Sequence, residues 1–349
     1  MKRILLESPR SFVVQEAPTP EPGPGEVLLR IEKVGICGSD MELYRQFRIG
    51  EIKAERPHVI GHECMGVVEA AGEGVDDRLV GARVAVEPAM PCGKCEWCLA
   101  GYTNICPDVQ FLGLPPTHGA FQQYIVHPAR LVEPLPDAVS DEAGVVLEPM
   151  AIALHAVNLV KVRPGQDVVI LGTGVLGTCV LALLSLYRGI RTVCVDLMPD
   201  RLQRAAAMGA DAVVRPDPED DEAAARQVLE AAGGQGADVV FECAGTHQTM
   251  WNMCEVAEPG AHIAVIGITE DDRITFSSGT SRRKGLTLRL VRRSLRTLPA
   301  CIDLAARGVI EPEALVTHTF APVEIDDAFR TVDGHADGVL KALVDMGGW

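Results

Sequence analysis

The chain has 349 residues, and its 32 Lys and Arg residues stand against 48 Asp and Glu residues, which gives a formal charge of −16. This length predicts two domains, and an apolar share of 47% excludes a disordered chain because it supplies enough material for packed cores. The acidic excess argues against nucleic acid or an anionic membrane as the main partner, since a surface that binds phosphates needs clustered positive charge.

The number of cysteines and the N-terminal sequence bear on whether the protein resides in a reducing or an oxidising compartment. There are eleven of them, an odd number, and only three apolar residues separate the initial Met1-Lys2-Arg3 from Glu7, which is too short a run for a secretion signal. We therefore expect a reducing, cytoplasmic setting with thiols available to bind metal, rather than a secreted disulfide scaffold.

The predicted elements change in character along the chain. Residues 1 to about 150 contain short strands (26–33, 66–71, 83–86) separated by turns, which predicts a β-rich region. From about residue 151, strands alternate with helices, which is typical of a doubly wound parallel sheet. The predicted strands are 167–171, 192–195, 212–214, 239–242 and 262–266, and the predicted helices are 177–187, 201–208, 221–232 and 246–256. After about residue 290 the pattern changes again, with a helix at 298–306 and strands at 316–320 and 339–344.

An uncharged stretch of 20 residues, 168–187, has the length of a membrane span. Three glycines lie within its first ten residues, and a glycine-rich turn is costly in lipid. A buried strand, a turn and a buried helix explain the same composition, so we expect a protein without a membrane partner.

A glycine-rich turn follows the first strand of the alternating region. Gly172, Gly174 and Gly177 form the pattern G-x-G-x-x-G, which allows a tight turn, a close approach of backbone to a pyrophosphate, and close packing of strand and helix. Val175 and Leu176 lie within this turn, just before the predicted helix, whose N-terminus favours an anion. The pattern predicts a dinucleotide site; the alternative is a plain glycine turn in an unrelated α/β sheet.

An acidic residue ends the next predicted strand. Asp196 would accept hydrogen bonds from the ribose hydroxyls and repel a 2′-phosphate, which favours NAD over NADP. Arg201 lies five positions later and could flank the adenosine, so the preference is not absolute.

Four cysteines within 15 residues indicate a structural metal site. The Cys-x-x-Cys spacing lets two thiolates bind one tetrahedral Zn²⁺ from a tight turn, and four thiolates leave no open position. Disulfides and an iron–sulfur cluster are the alternatives. The four residues are Cys92, Cys95, Cys98 and Cys106.

A second, dispersed set of candidate ligands contains Cys37, His62, Glu63 and Glu148. One thiol, one imidazole and carboxylates form the mixed set that leaves a position for water or substrate, as catalytic zinc requires. Each residue also has an ordinary structural explanation, and the sequence alone does not bring them together in space.

Taken together, these motifs resemble the zinc-containing medium-chain dehydrogenases, in that family's order and over the whole chain. Within the family the sequence is most similar to the sorbitol (L-iditol) and xylitol dehydrogenase branch, and L-threonine dehydrogenases share the metal residues. The similarity to the branch lies at Tyr44, 48–50, Phe111, 115–116, Gly119, 315–318 and Phe320.

The resemblance implies an α/β fold in which a GroES-like β-rich catalytic domain is interrupted by a Rossmann domain with a doubly wound parallel sheet. The expected boundaries are 1–153 and 291–349 for the catalytic domain and 154–290 for the NAD-binding domain. A homo-oligomer, either a dimer or a tetramer, is expected by the same resemblance.

The resemblance also implies residue roles. Cys37, His62 and Glu63 would bind the catalytic zinc, and Glu148 would be a fourth ligand or would hold a water at the metal. Ser39 would relay the proton of the substrate. Further residues are expected at the substrate, namely Tyr44 and Arg293, and at the cofactor, namely Ile266 and Gly267.

The implied activity is hydride transfer from a secondary alcohol of a polyol or sugar-derived small molecule to NAD, which gives the ketone. Glu42 replaces a histidine found in many relatives, which argues against a proton relay to solvent through that position. Ser294 replaces the aromatic residue that follows the arginine in sorbitol enzymes, which weakens the case for sorbitol itself. L-Threonine or an amino-cyclitol is the alternative substrate, because Glu42 could bind an amine. A zinc- and dinucleotide-binding scaffold or redox sensor is the alternative without catalysis.

Overall fold

The structure is a computed structural model that describes residues 1–54, 57–269 and 273–349. Within these residues the chain forms two units, one combining Met1–Ala151 with Leu295–Trp349 and the other consisting of Ile152–Ser294. The second unit is therefore inserted into the sequence of the first, and its limits lie within four residues of the expected 154 and 290.

The first unit begins with short strands. The strands before the insertion are β1 (Lys2–Ser8), β2 (Ser11–Glu16), β3 (Glu26–Gly35), β4 (Arg48–Ile49), β5 (Ile52–Lys53), β6 (Glu63–Ala71), β7 (Arg83–Val86), β8 (Ala89–Met90), β9 (Gln110–Phe111), β10 (Tyr124–Pro128) and β11 (Val132–Pro134). The helices are α1 (Gly38–Gln46), α2 (Glu96–Leu99) and α3 (Asp141–Val160), of which α3 runs across the boundary between the units.

Strands and helices alternate in the second unit. The strands are β12 (Asp167–Leu171), β13 (Arg191–Val195), β14 (Ala212–Val214), β15 (Ala237–Glu242), β16 (Ala257–Val265) and β17 (Thr287–Leu290). The helices are α4 (Val175–Leu184), α5 (Pro199–Ala207), α6 (Asp221–Ala231), α7 (His247–Glu255) and α8 (Ser278–Lys284). The chain then returns to the first unit with α9 (Leu298–Ala306), β18 (Val316–Phe320), α10 (Ile325–Asp333) and β19 (Lys341–Asp345).

The main sheet of the first unit has seven strands in the order β11-β7-β6-β3-β19-β18, and β10 also pairs with β3. Strand β3 is antiparallel to both β6 and β19, with Gly35 opposite Glu63 on one side and Leu343 on the other. Because antiparallel neighbours run in opposite directions, the end of β3 lies beside the beginnings of β6 and β19. The sheet therefore brings three distant parts of the sequence to one place.

The sheet of the second unit is parallel, in the order β14-β13-β12-β15-β16-β17. This is the 3-2-1-4-5-6 order of the Rossmann fold, in which ligands bind at the carboxyl ends of the strands where the order reverses. The ends of its central strands are aligned, since Leu171 pairs with both Val195 and Glu242, and Glu242 pairs with Val265. The expected α/β fold with a doubly wound parallel sheet is confirmed.

The uncharged stretch at 168–187 is divided between β12, a turn and α4, as expected for a buried strand and helix. Among the described residues, one helix, Asp141–Val160, is long and apolar enough to cross a bilayer by length and composition, and 78% of its apolar window is buried inside the protein.

Candidate active site and metal centres

Three candidate ligands converge where β3 ends and β6 begins. The ligand atoms of Cys37, His62 and Glu63 lie within 4.8 Å of one another. Cys37 follows β3 by two residues and immediately precedes α1, whereas His62 and Glu63 stand at the start of β6. The antiparallel pairing of β3 with β6 is therefore the cause of this convergence.

A buried carboxylate holds the two sides of this site together. Asp40, on the first turn of α1, accepts a hydrogen bond from the backbone N–H of Cys37 at 3.0 Å and another from the N–H of Gly61 at 3.0 Å. Its Oδ1 also lies 3.5 Å from Nδ1 of His62. A carboxylate in this position fixes the orientation of an imidazole and leaves the other ring nitrogen available to a metal.

The charges around His62 favour a cation. Burial of the ring opposes its protonation, but the negative charges of Asp40 and Cys37 outweigh burial and hold the pKa of His62 well above its ordinary value. A buried imidazole is protonated this readily only where the groups around it carry net negative charge. A divalent cation would compensate that charge in the same way.

A buried lysine compensates Glu63. The ammonium group of Lys341 contacts Oε2 of Glu63, both side chains being 1% exposed, and it also donates a hydrogen bond to the carbonyl of Ile36 at 3.1 Å. Lys341 is the first residue of β19, so the partner of this carboxylate comes from the segment that follows the inserted unit.

Glu148 is buried on α3 but is not one of the three residues whose ligand atoms converge in the described part of the chain. Burial raises the pKa of its carboxyl to about 8. His62 opposes this rise and Glu63 adds to it. Glu148 is therefore close enough to the cluster to interact with its charges, while it remains outside the set of converging donors.

These residues fit a zinc ion. Thiolate, imidazole and carboxylate are all zinc donors, and three protein ligands leave the fourth tetrahedral position open, as catalytic zinc sites do. The negative charges of Asp40 and Cys37 beside His62 favour a cation at the same place.

The four-cysteine lobe has the geometry of a closed site. The sulfur atoms of Cys92, Cys95, Cys98 and Cys106 lie within 4.8 Å of one another, and those of Cys95 and Cys106 are 3.9 Å apart. Tetrahedral zinc with bonds of about 2.3 Å requires sulfur atoms about 3.8 Å apart. The backbone N–H groups of Lys94 and Cys95 lower the pKa of Cys92 to about 7, which favours the thiolate that binds metal.

The glycine-rich turn has the shape that its pattern predicts. Gly172 has φ +93°, and a Cβ added at Gly177 would lie 1.9 Å from the carbonyl oxygen of Gly172, so neither position accommodates a side chain. At Gly174, by contrast, a Cβ would meet only the guanidinium of Arg201, at 3.7 Å. The space over Gly174, at the N-terminus of α4, is where a pyrophosphate fits.

Other predicted cofactor residues lie at the same edge of the sheet. Val175 and Leu176 form the first turn of α4, and Asp196 directly follows β13. Ile266 and Gly267 follow β16, and both of their N–H groups donate to the carbonyl of Glu242. Because parallel strands end together here, the arrangement fits one extended ligand such as a dinucleotide.

The ring of Tyr44 lies in the aromatic core of the first unit. Its ring packs 5.7 Å from Phe12 and 5.1 Å from Phe329, is 2% exposed, and belongs to the core of the first unit. Its hydroxyl interacts with the guanidinium of Arg10. Tyr44 therefore packs in the core with its hydroxyl towards a surface arginine, and its role at the substrate stays a prediction.

The other predicted substrate residues are located as follows. Ser39 is half-buried on the first turn of α1, two residues after Cys37. Arg293 lies in the second unit, three residues after β17, with a left-handed backbone at φ 56°.

Two important residues of the site received no role from the sequence. Asp40 stands three positions after Cys37, which is the spacing at which a side chain reaches back to the start of a helix. Lys341 stands in an otherwise apolar strand, and a lysine is almost never fully buried unless it is paired. Both signals are present in the sequence, although neither identifies the partner.

Two family models match the chain, the alcohol dehydrogenase GroES-like domain over residues 23–137 and the zinc-binding dehydrogenase over residues 175–307. The sorbitol dehydrogenase of Bacillus subtilis (strain 168) is 33% identical over 344 residues, which cover 99% of this chain and 97% of that protein.

Two solved structures have the same fold. An alcohol dehydrogenase from Escherichia coli CFT073, in complex with NADH, has a TM-score of 0.91 at 30% identity and covers 99% of both chains. A zinc-binding dehydrogenase from Sinorhizobium meliloti 1021, bound to NADP, has a TM-score of 0.88 at 28% identity, with 99% of this chain and 98% of that chain covered.

A GroES-like unit interrupted by a Rossmann sheet, together with one mixed and one four-thiol donor set, defines a zinc-dependent alcohol dehydrogenase. The chain belongs to the zinc-containing medium-chain dehydrogenase family, near its sorbitol dehydrogenase branch. The expectation of an enzyme is confirmed, and the alternative of a non-catalytic scaffold is not retained.

The buried pair of Lys341 and Glu63 predicts a large effect on stability. Lys341→Met leaves a buried carboxylate without its cation and should lower the free energy of unfolding by about 3–5 kcal/mol in urea titrations. The control is Lys33→Met, which removes a partly exposed lysine 3.4 Å from Glu142 and 3.3 Å from Asp345 and should cost less than about 1 kcal/mol. Equal small losses in the two variants would contradict this interpretation.

The glycine-rich turn predicts that two similar substitutions act differently. Gly177→Ala should lower the free energy of unfolding by about 1–3 kcal/mol, because its Cβ collides with backbone. Gly174→Ala should leave stability nearly unchanged but weaken NADH binding at least ~10-fold, because its Cβ occupies the space over the helix N-terminus. Urea unfolding and titration of NADH fluorescence separate the two effects, and a destabilised Gly174→Ala protein with normal NADH binding would refute the assignment.

Proposed function

We propose that this protein oxidises a secondary alcohol of a polyol or sugar-derived substrate to the ketone, with zinc in the mixed donor set and NAD as hydride acceptor. The observation that carries the proposal is the convergence of Cys37, His62 and Glu63 at a buried, negatively charged site. A thiolate, an imidazole and a carboxylate leave room for a substrate oxygen, whereas the four-cysteine lobe does not.

The chemistry needs a proton acceptor as well as a hydride acceptor. When bound, zinc supplies Lewis acidity that favours ionisation of the substrate hydroxyl, and the nicotinamide ring of NAD accepts the hydride. In this chain, Cys37, His62 and Glu63 would hold the metal. Asp40 would keep His62 in the orientation and tautomer that binding requires.

Ser39 is proposed to carry the substrate proton away from the site. Its half-buried position, two residues after Cys37, suits a hydroxyl that faces a reacting group on one side and solvent on the other. Glu148 is proposed to hold a polar group beside the metal residues rather than to bind the metal, because it is not among the converging donors. Arg293 remains a predicted substrate contact.

NAD is the proposed dinucleotide because an acidic residue follows β13. The carboxylate of Asp196 would attract ribose hydroxyls and repel a 2′-phosphate, and Arg201 lies 3.7 Å from it. A polyol-like substrate is supported by the resemblance to the Bacillus subtilis sorbitol dehydrogenase, and a neutral substrate is compatible with a chain of charge −16.

Removal of one zinc ligand should separate metal loss from nucleotide binding. Cys37→Ser or His62→Ala should lower NADH formation by at least ~1000-fold, which corresponds to about 4 kcal/mol of lost transition-state stabilisation. Metal analysis should fall from two zinc ions per chain to one, and the dissociation constant for NADH should change less than about threefold. Retained turnover in either variant, or a wild-type protein with one zinc ion, would refute the proposal.

The substrate is best tested with a panel of polyols, sugar acids and L-threonine, assayed for NADH formation with the wild-type enzyme. Turnover should be highest with a polyol or a related sugar-derived alcohol. L-Threonine as the best substrate would instead support the alternative in which Glu42 binds an amine.

The compartment and the oligomeric state stay predictions. All eleven cysteines lie among the described residues and none of them forms a disulfide there, which suits the expected reducing cytoplasm. A homo-oligomer is expected from the family, and light scattering of the purified protein would test it.

A further inference from the structure

The carboxylate of Asp196 is already engaged by the chain itself. Its Oδ2 accepts hydrogen bonds from the backbone N–H of Thr173 at 2.8 Å and from the hydroxyl of Thr173 at 3.1 Å. Its Oδ1 accepts from the N–H of Met198 at 2.9 Å. Asp196 is 9% exposed, so few of its acceptor positions face solvent.

Thr173 occupies the second position of the glycine-rich turn and is 1% exposed. Its own carbonyl accepts a hydrogen bond from the hydroxyl of Thr178 at 3.0 Å. The backbone of Thr173 is therefore held by α4, while its hydroxyl donates to Asp196, the residue on which the preference between NAD and NADP is proposed to depend.

Arg201 adds positive charge at the same point. Its Nη1 lies 3.7 Å from Oδ2 of Asp196, and the same atom lies 3.7 Å from the Cβ position over Gly174. The guanidinium thus stands between the carboxylate and the space for the pyrophosphate.

The number of open acceptor positions on Asp196 limits how many hydrogen bonds the ribose of a bound nucleotide can donate to it. A carboxylate offers about four lone-pair positions, two on each oxygen. The two hydrogen bonds from Thr173 use both positions on Oδ2, and Met198 uses one on Oδ1. A ribose diol donates two hydrogen bonds, but only about one lone-pair position of Asp196 is open to it without displacing a donor of the chain itself.

We propose that Thr173 is a specificity-determining residue whose hydroxyl occupies the Asp196 acceptor that a ribose hydroxyl would use, and so narrows the preference for NAD over NADP. The inference rests on the proposed dinucleotide function. For NAD, the ribose must displace the threonine hydroxyl or forgo one hydrogen bond. For NADP, the same hydroxyl and Arg201 weaken the repulsion between Asp196 and the 2′-phosphate.

Thr173→Val tests the proposal, because valine keeps the branched shape of threonine and lacks the hydroxyl. We expect the dissociation constant for NADH, measured by fluorescence titration without substrate, to fall ~3–10-fold, as one hydrogen bond implies. The dissociation constant for NADPH should stay the same or rise, so that the NADPH-to-NADH ratio increases at least ~3-fold.

Thr178→Val is the matched control. Thr178 is also a buried threonine of the same turn and helix, but its hydroxyl bonds a backbone carbonyl instead of Asp196. It should change both dissociation constants by the same factor and leave their ratio within about twofold of wild type.

The outcomes distinguish this inference from the function on which it rests. An unchanged ratio in Thr173→Val, or a ratio that rises equally in Thr178→Val, would overturn the role of the Thr173 hydroxyl. A wild-type protein that binds neither NADH nor NADPH would overturn the proposed function itself.

Discussion

The contact between Lys341 and Glu63 is the interaction on which the metal centre depends. A carboxylate that is 1% exposed is strongly unfavourable unless a cation compensates it, and Lys341 is equally buried. The lysine binds Oε2 of Glu63, and a carboxylate oxygen of the same residue lies within 4.8 Å of the ligand atoms of Cys37 and His62. The antiparallel pairs of β3 with β6 and with β19 place all of these groups at one end of the sheet.

The two donor sets are stabilised in different ways. The mixed set stands in a packed sheet and is organised by hydrogen bonds that the carboxylate of Asp40 accepts and by a buried ion pair. The four-cysteine lobe contains only short helical segments, Glu96–Leu99 and the 3₁₀ turn Thr103–Ile105. Its Trp97 and Leu99 are 43% and 76% exposed. A segment with so little core gains its order from the metal that its thiols bind.

The sequence allowed much of this architecture to be predicted, because short motifs carry their own geometry. The glycines at 172, 174 and 177 require one kind of turn, and the strands at 167–171 and 212–214 match their apolar runs. Long-range partners are different: nothing in the local sequence pairs Lys341 with Glu63 or places the ring of Tyr44 against Phe329. The sequence pattern does not predict helix α3, because the helix contains Pro149, a residue that normally interrupts helices.

The insertion of one unit into the other has a consequence for biosynthesis. Glu63 and Lys341 are 278 positions apart, so at about 5–20 residues per second a ribosome needs roughly 15–55 s to make the lysine after the glutamate. During that interval the Rossmann unit, which is continuous in sequence from 152 to 294, can fold by itself, while the sheet around the metal residues still lacks β19. The nucleotide-binding unit can thus fold before the catalytic unit is complete. Zinc would then bind at the mixed site only after synthesis of the chain is almost finished.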